Sequence, residues 1–134
     1  VSDLVALALG ATHDTVELAQ ARGQAAARLS TMKDDIRRAC RQPDLSIHDV
    51  AARHDVTSRY VQRIFEEAGA TFTQYLTEQR LLSAHRALRR SASTPATIST
   101  VAYESGFSDV SHFNRLFRRR FGCTPSDLRK SAKS

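Results

Sequence analysis

The chain has 134 residues, room for one ordinary domain or two very small ones, and enough to bury a core without covalent staples. Twenty Lys and Arg against 14 Asp and Glu leave a net charge of +6, which favours a polyanionic partner and leaves DNA, RNA and an anionic membrane surface open. Cys40 and Cys123 are the only cysteines, with no CxxC and no His/Cys pair at zinc-ligand spacing, so neither a disulfide framework nor a metal site is implied.

No apolar run approaches the roughly 18 residues that span a bilayer, and nothing at the start resembles a signal peptide. A soluble, cytoplasmic protein with two free thiols, no cofactor and no membrane partner is expected. The chain opens at Val1 rather than Met, and Asp3 to Gly10 read as the end of a helix whose packing partners lie elsewhere, so a fragment of a longer protein is expected. Residues 1–30 sum to −1, which leaves +7 to the remainder.

Gly and Pro are scarce, and apolar residues recur three and four apart, so the class is all-α. After a break at Gly10-Ala11-Thr12, a helical stretch is predicted from Thr15 to Arg41, with Gly23 a point of interruption and Pro43 the stop. Ser46 then caps a short helix with Asp49 completing a capping box, and Ile47, Val50 and Ala51 form its inner face. His54-Asp55-Val56 ends it, Asp being tolerant of the left-handed turn conformation. Thr57 caps Ser58 to Ala68. A long helix follows from Phe72 to Arg90, broken by Ser91-Ala92-Ser93-Thr94-Pro95. Thr97 caps Ile98 to Glu104, Gly106 makes a turn, Ser108 caps Asp109 to Arg120, and Gly122 ends that helix. Thr124-Pro125-Ser126-Asp127 announces a last short helix.

The pattern repeats. Val50-Ala51 recurs as Val101-Ala102 and Val56-Thr57 as Phe107-Ser108, at an offset of 51; at 52, Val61 to Phe65 align with Phe113 to Phe117. Each copy reads as two helices joined by a tight turn, the helix-turn-helix pattern. In the first, Val61, Ile64 and Phe65 form an inward stripe and leave Arg59, Gln62 and Arg63 outside. In the second, Phe113, Leu116, Phe117 and Phe121 turn inward, while Ser111, His112, Arg115 and Arg118 share the outer side. The stripe makes Phe107, Phe113 and Phe117 core residues rather than base-stacking ones.

Arg suits the major-groove acceptors of guanine, and Gln or Asn pairs bidentately with adenine. The expected base readers are therefore Arg59, Gln62, Arg63, Ser111, His112 and Arg115. Expected at phosphates are Thr57, Ser58 and Tyr60 at one helix start, Ser108 at the other, and Asn114 with the Arg118-Arg119-Arg120 run. The intervening helix, roughly 18 residues at about 1.5 Å each, is about 27 Å long against about 34 Å for one duplex turn. One chain then reaches two successive major grooves. Because the two faces differ, the site should be asymmetric.

The stretch from Asp44 to Arg129 resembles the DNA-binding domain of the AraC/XylS family, most clearly over Gly106-Phe107-Ser108-Asp109-Val110-Ser111-His112-Phe113-Asn114-Arg115-Leu116-Phe117-Arg118-Arg119-Arg120-Phe121-Gly122-Cys123-Thr124-Pro125-Ser126-Asp127-Leu128-Arg129. Arg80-Leu81-Leu82-Ser83-Ala84 fits the linker helix as well. The resemblance implies bacterial transcription control, often activation through RNA polymerase, with double-stranded DNA as partner. It implies a sensor domain that binds a small-molecule effector or forms a homodimer. Carried over by position, the family's base-reading places fall on the same six residues. Two departures matter: Asp55 stands where Gly is frequent, and small Ser111 replaces a longer reader, which would rest second-unit readout on Arg115.

The expected organisation is then a helical tail of the missing sensor domain over 1–28, a first helix-turn-helix subdomain with linker helix over 29–90, and a second over 91–134. The effector pocket would lie outside this chain. His13, His48, His54 and His85 are scattered and no catalytic spacing or phosphate-binding glycine loop is present, so an enzyme has little support. A helical protein-interaction or dimerisation module would explain the apolar stripes but not two outward Arg/Gln/His sets. An RNA binder would explain the charge, yet the aromatics here turn inward.

Overall fold

The structure is a computed structural model and describes residues 2–90 and 96–133. Among them lie seven helices and no strand: α1 (Ser2–Ala39), α2 (Ile47–Arg53), α3 (Ser58–Glu67), α4 (Phe72–Arg90), α5 (Ile98–Glu104), α6 (Val110–Phe121) and α7 (Pro125–Lys133).

Local chemistry sets most of the boundaries. Ser46 and Asp49 form the reciprocal capping box, Ser46 accepting from Asp49 N and Asp49 accepting from Ser46 N at 2.9 Å. The bonds it accepts from the Ser46 amide and hydroxyl hold the Asp49 carboxyl below the usual carboxylate range. Thr57, Thr97 and Thr124 each accept from the amide three residues on. Gly122 closes α6 in the left-handed conformation at φ 77°. Between α2 and α3, Asp55 takes φ 54°, a region Asp enters more easily than most residues.

Two predicted details differ. The break at Gly10-Ala11-Thr12 is absent, and α1 runs unbroken through it and through Gly23. Glycine in a helix costs only about 1 kcal/mol, and good helix formers stand around both sites, Ala8, Leu9 and Ala11 at one and Ala21, Arg22, Gln24 and Ala25 at the other. The cap of α6 is Asp109 rather than Ser108, with the Asp109 carboxylate accepting from His112 N at 3.2 Å. Two good capping residues stand side by side there. Ser91 to Pro95, the expected breaker between units, lies outside the described residues.

Among the described residues, the buried ones form two cores. One gathers Met32, Ile36 and Ala39 of α1, Cys40 just past its end, Val50 and Ala51 of α2, Val61, Ile64 and Phe65 of α3, and Phe72 and Leu76 of α4. The other gathers Leu81, Ala84 and Leu88 of α4 with Val101, Ala102, Phe107, Phe113 and Phe117. One helix thus serves both, its first half packed in the first unit and its second half in the second. Leu116 and Phe121, expected inward, pack at the edge of the second core. Cys40 is buried, which pushes its thiol pKa up, and Cys123 is partly buried; both are free.

Candidate nucleic-acid interface

With Val61, Ile64 and Phe65 locked in the core, the helical period turns Arg59, Gln62 and Arg63 outward, and all three are exposed. They line one open depression with Thr57, Tyr60 and Glu66. Gln62 Nε2 donates to Glu66 Oε1 at 3.3 Å, and Arg63 Nε lies 4.0 Å from Glu67 Oε1. Both contacts are at the surface, the first a hydrogen bond from a neutral amide and the second an ion pair at the edge of contact distance, and neither holds its side chain strongly. Arg63 also lies over the Tyr60 ring, 5.5 Å from its centroid. Tyr60 is half-buried, and Arg28 of α1 stands 5.6 Å from the same ring. Arg28 was not among the sequence candidates because no local period links α1 to α3. Ser58 Oγ is 2.7 Å from His48 Nδ1, so this expected phosphate contact already has a partner on α2.

On α6, Ser111, His112, Asn114, Arg115, Arg118 and Arg119 are all exposed around the buried Phe113 and Phe117. Asn114, Arg115 and Arg118 line one open depression together with Ile98, Val110, Thr124 and Ser126. Ser108 is exposed just before the cap. The Asp109 carboxylate already occupies the amide end of α6, which makes that terminus less receptive to phosphate than the neutral Thr57 cap of α3. Arg120 departs from the rest of the basic run. It grips Glu78 of α4 with Nε 2.9 Å from both carboxylate oxygens and Nη2 2.8 Å from one. Nine residues separate it from Ser111, or two and a half helical turns. The period therefore puts it on the side facing α4.

Among the described residues no helix is long and apolar enough to cross a membrane, and no group of three or more metal-ligating side chains occurs. Two of the histidines take structural partners: His54 Nε2 lies 3.3 Å from Asp35, and His85 packs on the rings of Phe117 and Phe121.

Residues 50–131 match the family described as helix-turn-helix domain. The transcriptional activator RhrA of Rhizobium meliloti (strain 1021) is 38% identical over 105 residues, which cover 78% of this chain and 33% of RhrA. The transcriptional activator NphR of a Rhodococcus species is 38% identical over 87 residues, 65% of this chain and 25% of NphR. The chain therefore spans about a third or less of the length of these relatives. Among solved structures, a probable AraC family transcriptional regulator from Rhodopseudomonas palustris CGA009 superposes with a TM-score of 0.73 at 26% identity, covering 81% of this chain and 99% of its own. With the matched domain spanning most of the chain, both units of the repeat included, the chain belongs to the AraC/XylS family of helix-turn-helix transcription regulators.

Proposed function

We propose that this chain reads two successive major grooves of an asymmetric promoter site, α3 in one and α6 in the other, as part of a transcription activator. The observation that carries the reading is the pair of exposed polar faces, Arg59, Gln62 and Arg63 on α3 and Ser111, His112 and Arg115 on α6, mounted on one shared helix. The 19 residues of α4 extend about 28 Å at 1.5 Å per residue, close to one duplex turn of about 34 Å. Thr57, Tyr60, Asn114, Arg118 and Arg119 flank these faces and are assigned to phosphates. Ser58 and Ser108 are assigned there more weakly, given the His48 partner and the Asp109 cap. Activation through RNA polymerase, control by a small-molecule effector and homodimerisation through a sensor domain, and action in the cytoplasm, belong to the same proposal for the longer protein. The activator relatives support the first of these.

Selection from a random duplex library tests the reading, followed by titration of the winner and a scrambled duplex at several salt concentrations. An asymmetric motif with two half-sites about one helical turn apart is expected. Equal binding to both duplexes would leave only electrostatic attraction and favour a protein-interaction module. Arg118→Ala is expected to weaken winner and scramble alike and to make the salt slope shallower by about 0.9, the share of one phosphate contact. An unchanged slope would mean that Arg118 faces water in the complex.

A further inference from the structure

The two units meet at a joint that the reading faces do not use. Arg80 sits where α4 leaves the first core, after Leu76, and enters the second at Leu81. Its Nε donates to Cys40 O at 2.8 Å, and its Nη2 donates to Gln42 O at 2.8 Å and to Pro43 O at 3.4 Å. These carbonyls follow the end of α1, outside its own hydrogen-bond ladder, and Gln42 O also accepts from Leu45 N at 3.3 Å. Taking a guanidinium partly out of water is costly unless acceptors replace the water, and three carbonyls do so here.

The second unit rests on the same spot. A Cβ on Gly106 would lie 2.5 Å from Cys40 O and 2.8 Å from Arg80 Nε, so the turn between α5 and α6 touches the exit of α1 with no room for a side chain. Nearby, Arg41 Nε donates to Glu104 O at 2.9 Å. Since α1 is packed in the first core through Met32, Ile36 and Ala39, and Cys40 at its exit is buried there too, this turn is seated on the first unit.

The repeat isolates what is special about the joint. Gly106 corresponds to Asp55 at the offset of 51. Asp55 is exposed at φ 54°, whereas Gly106 is buried at φ 103°, well beyond the left-handed well that Asp can enter. The same turn thus admits a side chain in one copy and excludes it in the other. The difference coincides with the contact between units.

We infer that Arg80, with Gly106 seated against it, is a positioning residue that fixes the separation and relative orientation of α3 and α6, so that half-site spacing is set by this joint and not by the length of α4 alone. The spacing claim rests on the two-groove reading; the rigidity claim does not.

Two measurements on the 134-residue chain separate them. Residual dipolar couplings of backbone amides report whether the two units share one alignment tensor, without DNA. Affinities for duplexes whose half-sites are moved apart one base pair at a time report spacing preference. For wild type, one tensor and a sharp optimum are expected. Arg80→Lys keeps the charge and the helix but loses the forked donor. It is expected to leave the amide shifts of both cores in place, to require two tensors, and to lower the preference for the optimal spacing about tenfold, as losing a hydrogen bond from a charged donor allows. Gly106→Ala should act the same way; should it unfold the second unit, Arg80→Lys and Arg41→Ala still decide. A single tensor in Arg80→Lys, or two tensors with spacing preference unchanged, overturns the inference. A wild-type chain with no duplex preference sinks the two-groove reading, while the couplings still settle the joint.

Discussion

Phe113→Ala is expected to take the second unit apart and leave the first standing. Phe113 is fully buried, with its ring centroid 4.9 Å from that of Phe107 and 5.6 Å from that of Phe117. Truncating a buried Phe costs about 3–5 kcal/mol, because the cavity adds to the lost transfer energy. That is a large part of the roughly 5–15 kcal/mol that holds a small domain together. The loss falls on one core only, since Phe113 contributes nothing to the cluster around Ile36, Val61 and Phe65. Amide hydrogen exchange checks it: α5 to α7 should lose protection while α2 and α3 keep theirs. Equal loss in both units would show that the two cores unfold as one.

Arg63→Ala should cost about 1–3 kcal/mol of discrimination between the selected duplex and single-base variants, the range of one good base contact. Little opposes its engagement with DNA. The Glu67 partner is two-thirds exposed, as is Arg63 itself, and a surface pair of this kind is worth about 0–1 kcal/mol. The Tyr60 ring beneath the guanidinium steadies the side chain without covering its donors. Titrating each variant duplex against both proteins reads the effect. Uniform weakening on every sequence would make Arg63 a phosphate contact, and no change would remove this face from the interface.

What the sequence made legible was local. Ser46, Thr57, Thr97 and Thr124 announce helix starts because their oxygens satisfy amides three residues on, and Gly122 announces a stop because it enters the left-handed region. The inward Val, Ile and Phe of α3 and α6 follow from the 3.6-residue period, and the exposure of Arg59, Gln62, Arg63 and Arg115 follows from them. Where local rules compete, they leave the outcome open: Ser108 and Asp109 are both capping residues, and the structure uses Asp109. Gly10 looks like a breaker, yet its small penalty is outweighed among alanines. Contacts between distant segments were not legible at all. Glu78 and Arg120 are 42 residues apart, Arg80 and Cys40 are 40 apart, and Arg41 and Glu104 are 63 apart. Nothing in the neighbourhood of any of these residues names its partner.

The division of α4 between two cores also orders events as the chain is made. Among the described residues, the buried ones of the first core run from Met32 to Leu76, and those of the second from Leu81 to Phe117. A chain emerging from the ribosome N-terminus first can therefore complete its first unit before α5 exists. By then α4 is anchored at one end, and its free half offers Leu81, Ala84 and Leu88 as a ready-made template. The later helices condense onto a surface already in place and need no long search for partners.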